Sequence, residues 1–140
     1  MRKRIYSLAV LTALFGLVLL TAVPAAAQTA YEWFDQGVYY YAVGEYEKAI
    51  ECFTKVIELE PKDALAYDNR ALAYRDLGNY DQAIADYSKA IELDPKDAIA
   101  YYERGTVYWK LNDIENAKKD FKKACDLGNS DGCSEYDRIK

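Results

Sequence analysis

The sequence repeats itself every 34 residues. Three blocks, 30–63, 64–97 and 98–131, follow one another without a gap. Residues of the same type recur at equivalent places in these blocks: Trp33, Tyr67 and Tyr101; Tyr40, Tyr74 and Tyr108; Ala49, Ala83 and Ala117; and Phe53, Tyr87 and Phe121. A fixed period of this length indicates a chain built from stacked copies of one small unit.

The period and its aromatic pattern resemble the tetratricopeptide repeat. The resemblance covers residues 30–131 and implies an all-α fold. Each repeat would be an antiparallel pair of helices, the three pairs would stack into a right-handed α-solenoid, and a short C-terminal capping helix would follow at 132–140. One departure from the family's pattern is that the usual Leu of the first helix is replaced by Gln36, Arg70 and Arg104.

Each repeat carries signals for the start and the end of its first helix. We expect these helices at 31–43, 65–77 and 99–111. Each is followed by a residue that tolerates a left-handed backbone: Gly44, Gly78 or Asn112. Residues that can cap the helix N-terminus stand in front of them: Thr29 in a capping box with Glu32, then Asp63 and Asp97.

The N-terminal segment has the features of a secretory signal peptide. Basic residues 2–4 precede an apolar run at 5–23, and small residues follow up to Ala27. This order predicts a signal peptide at 1–27 that is cleaved after Ala27. The alternative is an uncleaved membrane anchor, because a run of about 19 apolar residues can just span a bilayer. With cleavage, residues 28–140 form an exported domain, either periplasmic or extracellular.

Composition and charge exclude several classes of function. The sequence contains no histidine, which is the commonest general base and metal ligand. It also lacks a glycine-rich phosphate loop and a recognisable nucleophile motif. We therefore expect no enzyme, no metal site and no cofactor. Removal of residues 1–27 changes the net charge from −5 to −8, so nucleic acid and, after cleavage, a membrane are not expected as partners.

The resemblance also implies a concave groove that is lined by the first helices. Carried onto this sequence, the family's groove positions are aromatic at both ends and acidic in the middle. Exposed aromatic side chains are typical binding anchors, because they bury a large area at little entropic cost. We expect eight residues to contact a bound peptide or protein segment: Tyr31, Phe34, Tyr41, Asp68, Asn69, Arg75, Tyr102 and Trp109. The alternative is that the chain's own termini cover part of this groove.

One ligand class of the family does not fit these residues. Members that hold the C-terminal carboxylate of a chaperone tail need Lys, Asn, Asn, Lys and Arg at five groove positions. The matching positions here hold Phe34, Val38, Asn69, Ile99 and Glu103. Asn69 alone agrees, and Glu103 would repel a carboxylate. The sequence therefore predicts a ligand of different chemistry.

Two of the three cysteines lie near the C-terminus, in the segment KACDLGNSDGC. This segment resembles the cysteine-containing end of Sel1-like repeats. The resemblance implies a disulfide between Cys125 and Cys133, which an exported protein can form, and which would hold the tail against the last repeat. The alternative is a pair of reduced structural cysteines.

The third cysteine, Cys52, has no partner in this scheme. The other repeats carry Asp86 and Asp120 at its place, so we expect its side chain to face solvent. A leftover cysteine in an exported chain is a candidate for a bond between chains. A half-buried, inert thiol is the alternative.

Two functions are compatible with these observations. The first is a non-catalytic protein–protein interaction module that binds a peptide or protein segment in the groove. The second is a structural subunit that stacks head to tail with copies of itself into oligomers or filaments, because the two ends of a solenoid are complementary. The oligomeric state of the mature protein distinguishes the two.

Overall fold

The computed structural model describes residues 28–139 and contains seven α-helices and no strand in that range. The helices are α1 (Ala30–Ala42), α2 (Tyr46–Leu59), α3 (Ala64–Asp76), α4 (Tyr80–Leu93), α5 (Ala98–Lys110), α6 (Ile114–Asp126) and α7 (Ser130–Arg138). The predicted signal peptide, 1–27, lies outside the described residues. Of these seven helices, none is long and apolar enough to cross a membrane.

The helices pack as three antiparallel pairs followed by a single helix. Helix α1 packs on α2, α3 on α4, and α5 on α6. The second helix of each pair then packs on the first helix of the next pair, and α7 takes this place against α6. This arrangement confirms the predicted fold class, a right-handed α-solenoid of three helix pairs with a short C-terminal capping helix.

The helix ends follow local signals in the sequence. Thr29 and Glu32 form the predicted capping box, and the carboxylates of Asp63 and Asp97 accept hydrogen bonds from backbone N–H groups of the next turn. The first helices begin and end one residue earlier than predicted. They begin directly after the N-cap residue, and the last predicted residue of each is the C-cap. The residues after these C-caps adopt the predicted positive φ: Gly44 (80°), Gly78 (82°) and Asn112 (59°).

A small residue in each first helix allows close contact with an aromatic ring of the second helix. A Cβ atom added to Gly37 would lie 2.6 Å from the ring of Phe53, which is fully buried. In the second pair, Ala71 packs with the buried ring of Tyr87. The buried core lies between the two helices of each pair and extends to the first helix of the next pair, since Tyr87 also clusters with Val107 of α5.

Helix α7 covers the end of the third pair. A disulfide joins Cys125 of α6 to Cys133 of α7, with the two Cα atoms 4.5 Å apart. The helices are close enough that a Cβ atom on Gly132 would lie 2.7 Å from the Cβ of Ala124. The resemblance of this end to Sel1-like repeats stays a prediction.

Candidate functional site

The first helices α1, α3 and α5 form one continuous face, because each contacts the first helix of the next pair. Along one edge of this groove lies a row of apolar side chains, one at the second position of each repeat. Tyr31 is 73% exposed, Leu65 is 60% exposed and Ile99 is 58% exposed. Such a row of exposed apolar side chains can anchor a partner segment without any rearrangement of the core.

A chain of hydrogen bonds crosses the floor of the groove and links its three helices. The hydroxyl of Tyr41 in α1 donates to Asp76 Oδ2 in α3 over 2.5 Å. Arg75 Nε donates to Asp76 Oδ1 over 2.8 Å, and Arg75 Nη1 donates to Glu103 in α5. Burial and the hydrogen bond to Asp76 raise the pKa of Tyr41 to about 12, so its hydroxyl remains a donor at physiological pH.

Asp68 of α3 lies in the middle of the groove. Its Oδ1 atom is buried and accepts no hydrogen bond from the described residues. Burial, followed by the nearby carboxylates of Asp97 and Glu103, raises the pKa of Asp68 to about 7, and Arg75 opposes this shift. Asp68 therefore changes its charge near physiological pH.

The hydroxyl of Tyr87 is the second unpaired polar group. The Tyr87 side chain is fully buried in α4, and its oxygen has no hydrogen-bond partner within residues 28–139. Its pKa is raised by burial first and then by Glu103, while Arg75 lowers it and Asp68 raises it further. The hydroxyl thus faces the same charged groups as Asp68.

Three of the eight predicted contact residues, Tyr41, Asp68 and Arg75, lie together in a cluster of charged and hydroxyl groups on the groove floor. Tyr31 lies on the exposed edge. Asn69 is turned back on its own helix, because its Nδ2 donates to the carbonyl of Leu65 over 2.8 Å.

The remaining three predicted residues are partly engaged in packing. The rings of Phe34 and Phe53 meet edge to face with centroids 5.6 Å apart. Tyr102 packs on the ring of Phe121 at 5.8 Å. Trp109 lies 4.7 Å from the guanidinium of Arg138, so α7 covers part of it.

Asp76, Glu103 and Tyr87 complete the cluster, although sequence reasoning did not select them as contact residues. Tyr87 occupies a position where the repeat pattern predicts an aromatic side chain for packing, so the pattern does not indicate a role for its hydroxyl. A signal was nevertheless present, because the equivalent positions in the other repeats are Phe53 and Phe121. The second repeat alone adds a hydroxyl at this buried place.

The expectation that Cys52 faces solvent is wrong. Cys52 is 4% exposed, and the residues at the equivalent places, Asp86 and Asp120, are 7% and 6% exposed. Burial, and then the charge of Glu51, raises the pKa of the Cys52 thiol. A buried thiol in its protonated form is not placed to bond to a neighbouring chain.

The reason for this error is a buried ion pair between the helices of the later pairs. Arg70 donates from Nε and Nη2 to the carboxylate of Asp86 over 2.6 and 2.8 Å, and from Nη1 to Thr54 of the preceding pair over 3.0 Å. Arg104 repeats this pattern with Asp120 and Ser88.

Family models match most of the described chain. Models described as tetratricopeptide repeat match residues 30–63, 52–85 and 98–130, and a model described as TPR repeat matches residues 71–112. No curated protein matches this chain.

Solved structures with the same architecture are similar to this chain over most of its length. The first TPR of Spaghetti (RPAP3) bound to an HSP90 peptide has a TM-score of 0.75 and 30% identity, covering 84% of this chain and 95% of that one. The second TPR domain of human RPAP3, in complex with an HSP70 peptide, has a TM-score of 0.73 and 36% identity over 79% and 93% of the two chains. The Arabidopsis OM64 TPR domain has a TM-score of 0.75 and 30% identity over 79% and 93%.

Proposed function

The chain belongs to the tetratricopeptide-repeat family, and from this we propose that it is a non-catalytic module that binds a peptide or protein segment in its groove. The observation that carries the proposal is the row of exposed apolar side chains beside a charged floor that spans α1, α3 and α5. Two similar solved structures hold peptides, one from HSP90 and one from HSP70. This precedent supports a peptide ligand for the same fold.

The ligand proposed here differs in chemistry from those peptides. The sequences of those peptides, SRMEEVD and SGPTIEEVD, are rich in carboxylates. The groove floor of this chain presents Asp68, Asp76 and Glu103 around a single arginine. Carboxylates placed against this floor would be repelled, so we expect a segment with apolar side chains and little negative charge.

Replacing apolar side chains of the exposed edge should weaken binding without unfolding the protein. We expect Leu65→Ser with Ile99→Ser to weaken a peptide selected from a displayed library by at least about tenfold, or about 1.4 kcal/mol. The matched control is Leu59→Ser with Ile114→Ser, because these residues are exposed on second helices, outside the groove. Titration calorimetry compares the variants, and circular dichroism verifies that they are folded. Selected peptides that bind both double variants equally well would show that the groove is not the binding surface.

Export is part of this proposal. The Cys125–Cys133 disulfide supports it, because disulfides persist in oxidising compartments outside the cytoplasm. Mass spectrometry of the exported protein should find Gln28 at its N-terminus. A mature protein that still begins with Met1 would favour the anchor instead.

End-to-end self-association is the second candidate function. The first pair has a cavity of about 480 Å³ that is lined by Trp33, Gln36 and Cys52 among others, and Gln36 occupies the repeat position of Arg70. Within residues 28–139 no helix precedes this pair, and this favours a contact with another chain. The opposite end is covered by α7, so such a contact would have to displace or include that helix. Light scattering that shows a monomer at all concentrations would exclude this function.

A further inference from the structure

The polar groups on the floor of the groove are unevenly paired. The carboxylates of Asp68, Asp76 and Glu103 surround one guanidinium, that of Arg75, which is already bonded to Asp76 and Glu103. Asp68 Oδ1 and the fully buried hydroxyl of Tyr87 have no hydrogen-bond partner among the described residues. An ionised carboxylate accepts hydrogen bonds and donates none. Lys110 also faces Asp76 and Glu103. Even with Lys110, the cluster has more carboxylates than cations and can take up a further positive charge.

We propose that this part of the groove is a subsite for a lysine side chain of the bound segment. Its ammonium group would enter between the carboxylates of Asp68 and Glu103 and pair with them. In moving these side chains apart, it would uncover the hydroxyl oxygen of Tyr87, which is buried in the free protein, and donate to it. This inference rests on the proposed function, because it names the chemistry of the segment that the groove binds.

The geometry favours an organic cation over the other ligands that carboxylates attract. No group of three or more carboxylate, histidine or cysteine side chains within 28–139 is arranged to hold a metal ion. An ammonium group offers three donors and does not require such a closed oxygen cage. Asp68 as a residue is half-buried, so a long, thin side chain can reach it from the groove.

The position of Tyr87 is the observation that separates a subsite from an ordinary acidic surface. An acidic cluster on a surface is solvated and needs no ligand. Here a fully buried hydroxyl lies beneath the carboxylates and stays unpaired, whereas Phe53 and Phe121 fill the same place without a polar atom. A polar group that is buried without a partner requires an explanation in a native protein, and a bound donor provides one.

Asp68 must be ionised to attract the ammonium group. The charged groups that face it are Asp97 and Glu103 from the α5 side and Arg75 from α3, with the hydroxyl of Tyr87 from α4. Asp68 has a pKa of about 7 in the free protein, so it is mostly neutral at pH 6 and mostly charged at pH 8. A lysine ammonium is charged throughout this range.

The test compares a selected peptide with an analogue in which one lysine is replaced by norleucine. For the wild-type protein at pH 8, we expect the analogue to bind about tenfold more weakly, because it loses hydrogen bonds between charged groups. For Asp68→Asn the two peptides should bind within about twofold of each other. The Asp68→Asn variant is expected to fold, because the raised pKa means that the charge of Asp68 opposes folding at neutral pH.

Tyr87→Phe provides a second, matched variant that copies the residue of the other repeats. It should weaken the lysine peptide by about threefold and leave the norleucine analogue unchanged. Affinity for the lysine peptide should rise about tenfold between pH 6 and pH 8 in the wild type, and stay flat in Asp68→Asn.

Two kinds of failure are distinguishable. Selected peptides that do not depend on Leu65 and Ile99 would overturn the proposed function. Peptides that depend on Leu65 and Ile99, but tolerate norleucine or bind Asp68→Asn as tightly as the wild type, would overturn the lysine subsite and leave the groove function intact.

Discussion

Replacing Asp86 with alanine is expected to lower the free energy of unfolding by about 3–5 kcal/mol, because it leaves a buried guanidinium without its counterion. The side chains of Arg70 and Asp86 are 17% and 10% exposed. Arg70 donates hydrogen bonds to Asp86, and these are the main cause that raises the pKa of Arg70. An arginine stays charged even without such a partner, so deprotonation cannot relieve the loss of Asp86. Urea unfolding followed by circular dichroism measures the effect.

The double variant Arg70→Gln with Asp86→Ala is the control for this prediction. It approximates the neutral pair of the first repeat, Gln36 and Cys52, in which no charge is buried. Removing both partners of a buried ion pair lowers the stability less than removing one partner, because no unpaired charge is left buried. The double variant should therefore be more stable than Asp86→Ala alone. A double variant that is less stable would show that the stacking of Arg70 on nearby tyrosine rings matters more than its charge.

Removing the disulfide with Cys125→Ser and Cys133→Ser is expected to cost about 2–3 kcal/mol on the chain-entropy model. The two cysteines are eight residues apart, so the bridge closes a short loop between α6 and α7. The loss should be concentrated in α7, whose backbone amides should exchange faster, whereas those of α2 and α3 should change little.

Cys52→Ser is the matched control, because it alters a cysteine that is buried and unpaired and leaves the bridge intact. It should not change exchange in α7. Free alkylation of both Cys125 and Cys133 in the native exported protein would contradict the bridge itself.

The period of the sequence predicted the fold because each helix end is a local event. A cap such as Asp63, or a left-handed residue such as Gly78, acts on backbone groups within a few positions. The buried ion pairs could not be predicted in this way, since Arg70 and Asp86 are 16 residues apart and lie on different helices. A charged residue in a helical pattern indicates a solvated face, and that assumption misplaced Cys52.

The sequence predicted some residues of the groove but not their bonding partners. Tyr41, Asp68 and Arg75 lie at family groove positions, and the structure groups them. Their bonding partners are set by distances between helices, which the sequence pattern does not encode. Tyr87 lies on α4, whereas the groove positions of the family all lie on first helices. The family pattern therefore could not identify Tyr87 as part of the cluster.

The arginines that join successive pairs give the solenoid a direction. Arg70 and Arg104 each donate a hydrogen bond to a hydroxyl of the preceding pair, that of Thr54 or Ser88. Each arginine also forms an ion pair with an aspartate of its own pair. The first pair has a glutamine in place of this arginine, whereas the last is fastened to its covering helix by a covalent bond. We therefore expect fraying to start at α1 and to proceed towards the C-terminus, one pair at a time. A partner that binds across all three first helices would then also stabilise the weaker end.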